Sequence, residues 1–211
     1  MRVRFIGYLI GLILLIFNLM LLSKIKQTRV AYSRQAEVAK DRYDSTIRDL
    51  FLMLESEGMA VNGGIILESE EGVRATLQEL ISDSLFIVFR YSELDCNKCV
   101  INNLGYLNVL KNSIDNANII ILTTYGKLND LILFKRVNHI NFPVYNISEY
   151  GLGLPAEKSG MPFLFMMDGS LVTRYVHFPD KENPRLTNIF LNLIPRHYRR
   201  ISSIYTNNNP L

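Results

Sequence analysis

Tryptophan is absent from this 211-residue chain, cysteine occurs only twice, and there are just 7 prolines and 12 glycines. Two cysteines exclude a disulfide-stapled miniprotein, and so little proline and glycine excludes collagen-like and low-complexity classes. An excess of one charge is lacking too. Lysine and arginine total 23 against 20 acids, but Arg2, Arg4, Lys24 and Lys26 precede the first acid, Glu37, so residues 27–211 carry 19 basic and 20 acidic groups. A protein that neutralises phosphates needs a concentrated basic surface. The only such cluster is Arg196, His197, Arg199 and Arg200, so no nucleic-acid partner is expected. The three histidines, His139, His177 and His197, are scattered and no second cysteine pair exists, so no metal site is expected either. What remains is a chain that is 48% apolar, enough for one domain of about 100 to 150 residues plus an accessory segment.

Residues 5–22 (FIGYLIGLILLIFNLMLL) hold no charge, and Asn18 is their one strongly polar side chain. At helical rise they measure roughly 27 Å, long enough to span a bilayer. Arg2 and Arg4 precede the run and Lys24, Lys26 and Arg29 follow it, so long cationic side chains can reach headgroups at both ends. A cleaved secretory signal shares the basic start and apolar centre, but no small-x-small cleavage site follows. The expectation is an uncleaved anchor over residues 1–26. Charge alone does not orient it, because basic groups flank both sides.

Residues 27–57 are rich in helix formers and free of Pro and Gly, with Ile47, Leu50, Phe51 and Leu54 at helical spacing, so a juxtamembrane helix is expected there. Homodimerisation through this helix is one expectation and a solvated spacer the other, since apolar positions before Asp44 are sparse. Gly58 and Asn62-Gly63-Gly64 then open a new domain, residues 58–196. Its pattern alternates: a short strand at 65–67, a helical turn at 76–81, a doubly buried strand at 85–89 (LFIVF), a helix at 96–113 with Val100, Leu104, Leu107 and Leu110 on one side, and a strand at 118–124. A helix at 127–137, strands at 142–147, 163–167 and 171–176, and a helix at 184–193 complete it, with a flexible tail over 197–211. The expected class is α/β, a central mixed sheet flanked by helices.

Both cysteines fall in Asp95-Cys96-Asn97-Lys98-Cys99, at the junction between the LFIVF strand and the next helix. Random placement of two cysteines gives this spacing about one time in a hundred. At a helix N-terminus, unpaired N–H groups and the helix dipole favour thiolate, which makes Cys96 the expected nucleophile. Cys99, one turn further in, can attack a mixed disulfide on Cys96 and release the reduced partner. Lys98 should favour that thiolate and Asp95 oppose it. A structural disulfide of this span would remove little chain entropy, and cysteines retained in a fold kept for binding are the stronger rival reading.

LFIVFRYSELDCNKC, followed about 60 residues on by Gly160-Met161-Pro162-Phe163-Leu164-Phe165-Met166-Met167-Asp168-Gly169, resembles the redoxin branch of the thioredoxin-like superfamily, particularly membrane-tethered bacterial thiol-disulfide oxidoreductases. The resemblance covers roughly residues 64–195. It implies a thioredoxin-like sheet, catalytic Cys96 and Cys99 cycling through a disulfide without other cofactor, and protein thiols or disulfides as partners. It further implies a cis Pro162 facing the cysteines, Met161 pairing its backbone with an extended substrate, and a single-pass inner-membrane location with the C-terminal domain in the periplasm. The chain departs from the pattern in placing Leu94-Asp95 where relatives carry Trp. At the two positions for a proton-relay acid it has Arg90 and Asn102, leaving Glu93 or Asp95 as substitutes. Peroxidases of this fold need Pro and Thr where Phe89 and Glu93 stand, so peroxidase activity is not expected. A binding module without turnover and a redox sensor are the alternative functions.

Overall fold

Between residues 12 and 57 no proline or glycine interrupts the chain, and one continuous helix, α1 (Arg2–Ser56), results. The computed structural model describes residues 2–81, 84–95, 97–114, 117–148, 150–179 and 184–208, with side chains described except at 2–13, 97, 98 and 202–208. The chain divides into two units, Met1–Arg48 and Asp49–Leu211. In the first, Leu14, Leu15, Ile16, Phe17, Leu19, Met20, Leu21 and Leu22 are each 43% to 64% exposed. Asn18 donates its side-chain amide to the Leu14 carbonyl (2.9 Å), which satisfies one donor within the helix itself. Among the described residues no helix is long and apolar enough to cross a membrane. Residues 5–13, half of the expected span, lie outside the described side chains.

The second unit is built on a seven-stranded sheet of order β2-β1-β5-β4-β3-β6-β7. Its strands are β1 (Ile66–Ser69), β2 (Arg74–Thr76), β3 (Phe86–Ser92), β4 (Asn118–Thr124), β5 (Val144–Asn146), β6 (Phe163–Met167) and β7 (Arg174–His177). β3, β4 and β5 run parallel, joined through α3 (Asn97–Ser113) and α4 (Leu128–Val137). β6 lies antiparallel to β3, with Arg90 opposite Phe163, and β7 antiparallel to β6. This is a mixed sheet with flanking helices, the α/β class expected from the sequence. Period-two alternation sends Ile87, Phe89 and Tyr91 into one core with Val100, Leu104, Leu107 and Leu110 of α3, and sends Val88 into a second core with Phe163, Phe165 and Leu171. Both faces of β3 are therefore dry, which is why LFIVF reads as an uninterrupted apolar run.

Two local outcomes differ from the sequence reading. The short helix α2 (Leu77–Leu80) opens with a reciprocal capping box: Thr76 Oγ1 accepts from the Glu79 N–H while Glu79 accepts from the Thr76 N–H. Just before it, residues 74–76 form the edge strand β2, which the sequence reading leaves out. The last helix, α5 (Pro184–Asn208), runs through Pro195 and through most of the segment expected to be a tail. Tyr198 explains the extension: its buried hydroxyl donates to the Leu85 carbonyl (3.0 Å) and accepts from the Asn118 N–H (3.1 Å), pinning α5 to the starts of β3 and β4. Leu191, Ile194 and Tyr198 continue one buried helical stripe past the proline. At the other end, Ser56 on the last turn of α1 is fully buried, and its Oγ accepts from the Ala156 N–H (2.9 Å). Leu52 and Met53 also pack on the core, whereas Leu50, Phe51 and Leu54 stay exposed.

Candidate functional site

β3 ends in a turn that the chain ties down at several points before α3 begins. Asp95 accepts the Ser92 N–H on Oδ2 (2.8 Å) and returns its own N–H to the Ser92 carbonyl (3.0 Å). Glu93 accepts from the Gly126 N–H (3.1 Å) and gives its N–H to Thr124 O (2.9 Å), fastening the turn to the end of β4. Leu94, at the tip, is 83% exposed. Cys96 follows immediately and lies outside the described residues, as does the Lys98 side chain. Cys99 stands half-buried in the first turn of α3.

A small cavity of ≈100 Å³ brings the two sequence motifs together: Leu94 and Asp95 line it from the cysteine turn, and Gly160, Met161 and Phe163 from the loop entering β6. Met161 is partly exposed and Pro162 is buried beside it. The peptide bond before Pro162 is trans, since no described residue has a cis bond. That corrects the cis proline implied by the resemblance. Trans is the lower-energy form for X-Pro by about 0.5–1 kcal/mol, and here Gly160, at φ 66, makes the reversal that brings the chain into β6. Met161 is also engaged: its N–H donates to Ser159 Oγ (3.0 Å), whose hydroxyl reaches the Met161 carbonyl at 3.4 Å. An extended chain pairing with Met161 would have to displace Ser159.

Beneath the cavity is a feature that sequence reasoning missed. Arg90 and Glu157 form an ion pair with Nε to Oε1 at 3.0 Å and side chains only 5% and 2% exposed. Arg90 also donates to Thr124 Oγ1 (2.8 Å) and to the Tyr91 carbonyl, while Glu157 Oε2 accepts from the Gly153 N–H (3.1 Å). Glu157 rides on the 3-10 turn Pro155–Ser159. Nothing local marks it, but an arginine closing a doubly buried strand requires an anionic partner. The N-terminus of α3 favours thiolate at the cysteine turn and the Asp95 carboxylate opposes it, while the Arg90 charge, although paired with Glu157, still reaches Asp95.

Burial pushes the Asp95 carboxyl above its ordinary range, and the Ser92 N–H and the Arg90 charge only partly offset this. Its neutral form is thus favoured more in the folded than in the unfolded chain. The associated stability is complete below the ordinary aspartate pKa and is lost as pH rises through the raised folded value. Asp95→Asn is expected to remove this slope from a plot of melting temperature against pH and to leave the protein at least as stable at pH 7. A variant that melts lower at pH 7 and keeps the wild-type slope would contradict this assignment. Glu93, by contrast, is exposed and occupied by Gly126, so the structure does not bring it to the cavity.

Two of the three histidines are engaged in packing: His177 stacks on Phe190 (4.4 Å between centroids) and His197 lies against Tyr175 (4.6 Å). No group of three or more potential metal ligands occurs among the described residues. Phe89 is fully buried in the core. A larger cleft of ≈780 Å³ near Glu70, Lys135 and His139 has no cysteine among its described lining residues.

No family model and no curated protein matches the chain. Solved structures do. One is an Aquifex aeolicus VF5 protein assigned a tentative electron-transfer role by name, at 17% identity over 65% of this chain and 97% of that one, with a TM-score of 0.49. Another is peroxidoxin BcpB from Mycobacterium tuberculosis, at 14% identity over 65% and 94%, TM-score 0.45. A third is a thiol:disulfide interchange protein from Bacteroides sp., at 14% identity over 64% and 90%, TM-score 0.45.

Proposed function

We propose that the chain exchanges disulfides with protein thiols through Cys96 and Cys99 while anchored in a membrane by residues 5–22. The observation that carries the reading is the shared cavity, in which the turn leading to the cysteines meets Met161 across a narrow gap. In the reductive direction, the Cys96 thiolate attacks one sulfur of a substrate disulfide, forming a mixed disulfide and expelling the other sulfur as thiolate. The Cys99 thiolate then attacks the Cys96 sulfur. The second substrate thiolate leaves, and the Cys96–Cys99 disulfide retains the two-electron oxidation until a donor dithiol reduces it. No further cofactor enters. Leu94 and Met161, both exposed, supply apolar contact for a polypeptide, with Met161 and Pro162 seating it once Ser159 gives way.

The anchor is supported by eighteen uncharged residues and by the exposed surface of residues 14–22. A bacterial inner membrane, with the C-terminal unit in the periplasm, is the placement that the motif resemblance favours. A homodimer through the juxtamembrane segment is consistent with exposed Leu50, Phe51 and Leu54. The second reading, a binding module or redox sensor without turnover, draws on one observation: the Met161 N–H is already taken by Ser159.

The test is turnover of a disulfide-bonded protein substrate by the full chain in detergent, beside Cys96→Ser. Exchange should fall to the uncatalysed background in the variant. Equal rates with and without Cys96 would refute the proposal, and a folded wild-type chain that never turns over would favour the module.

A further inference from the structure

β5 runs parallel to β4 and β3, so the ≈780 Å³ cleft at its start lies at the other end of the sheet from the turn that leaves β3. Two elements of different charge line it. The β1–β2 hairpin contributes Glu70 and Glu71, and its tip is fixed: Ser69 Oγ donates to Glu71 Oε2 (2.7 Å) and accepts from the Glu71 and Val73 N–H groups (3.3 Å each). That hydroxyl holds the Glu71 carboxyl below its ordinary range. Lys135 of α4 is tied to Glu70 at 2.6 Å. Arg136 and His139 have no such tie: both are exposed, and among the described residues their side chains find no hydrogen-bond or ion-pair partner. Nor are they needed to cap α4. Phe134 O already accepts from Asn138 Nδ2 (2.9 Å), Lys135 O from the Ile140 N–H (3.0 Å) and Arg136 O from the His139 N–H (3.3 Å). His139 sits at φ 51, in the left-handed position after a helix that glycine or asparagine normally takes. An imidazole is thus held along the cleft in a conformation that L side chains disfavour.

A plain anion would be repelled by the hairpin carboxylates and a plain cation by the guanidinium, whereas a ligand carrying both charges suits both elements. We infer that this cleft binds a small zwitterion of the amino-acid or short-peptide class, its carboxylate on Arg136 and His139 and its ammonium on Glu70 and Glu71. A planar guanidinium takes a carboxylate through two parallel hydrogen bonds. Ile132 and Pro143, which also line the cleft, meet the hydrocarbon of the ligand, and the volume is that of a small-molecule site. The site shares no residue with the cavity at the cysteine turn.

The test is titration of the full chain in detergent with leucine and with alanyl-leucine, read by calorimetry and by ligand-observed NMR. Binding of leucine makes the occupant a free amino acid; binding of alanyl-leucine alone makes it a short peptide. N-acetylation or C-terminal amidation of the ligand that binds should weaken it about tenfold or more, the worth of a charge-assisted hydrogen bond. Arg136→Gln should cost a similar factor and narrow the gap between amidated and free ligand, and Glu71→Gln should narrow the gap between acetylated and free ligand. His139→Gly should melt no lower than the wild type, since glycine accepts that φ, and yet bind more weakly; a purely structural histidine would give the reverse. Absence of binding by both ligands would overturn the inference, as would affinities indifferent to both blocks and to Arg136→Gln. Cys96→Ser should bind as the wild type does, so failure of this site and failure of the exchange chemistry give different results.

Discussion

Glu157→Ala is expected to lower folding stability by about 3–5 kcal/mol, because it leaves the Arg90 guanidinium buried without its counter-charge. The pair is 3.0 Å apart with both side chains almost fully buried, so neither solvent nor salt can compensate. Chemical denaturation of the C-terminal unit in the full chain, followed by near-ultraviolet dichroism of its tyrosines, provides the measurement. Arg90→Met combined with Glu157→Leu should recover most of the loss, since replacing a whole buried pair with apolar groups is often neutral or stabilising. The recovery will be partial. Gly153 N–H loses an acceptor, and Thr124 Oγ1 and the Tyr91 carbonyl lose a donor. A single-variant cost below about 1 kcal/mol would place the pair among surface ion pairs in energetic terms and contradict its role as the floor of the site.

Cys99→Ser is expected to have the largest functional effect, converting turnover into a single covalent event. With the resolving thiol removed, the mixed disulfide on Cys96 has no internal attacker, so one substrate molecule should remain bound per chain until an external thiol is added. Intact mass before and after reductant reads this directly. The adduct should be absent when Cys96→Ser is added. An adduct that forms as readily without Cys96 would assign the nucleophile elsewhere.

The strands expected at residues 85–89 and 118–124 were legible because burial on both faces writes an uninterrupted apolar run; the extension of the first strand through Ser92 carried no such signal. The α3 face of Val100, Leu104, Leu107 and Leu110 was legible because it is buried at helical spacing. The α5 extension carried the same kind of signal in Tyr198, masked by Pro195, whose presence argues for a stop that tertiary packing overrides. Edge strand β2 has one of its three residues exposed and none buried, so it leaves no apolar trace. In the site, the resemblance carried by the two motifs implied that the Met161-Pro162 loop faces the cysteine turn. Glu157 was not legible, because a lone carboxylate in Pro155-Ala156-Glu157-Lys158-Ser159 looks like any surface turn. Only the fold places it under Arg90, 67 residues away. The trans bond before Pro162 was equally hidden, since the free-energy gap between X-Pro isomers is small enough for local context to decide.

The most direct test of the central claim is a redox titration of the full chain against glutathione buffers, with alkylation and mass analysis of each cysteine. The account predicts that Cys96 and Cys99 oxidise together along one two-electron curve, the ratio of forms changing tenfold per about 30 mV. Two cysteines alkylated independently of the buffer, or each joining glutathione singly without forming a bond to the other, would contradict it.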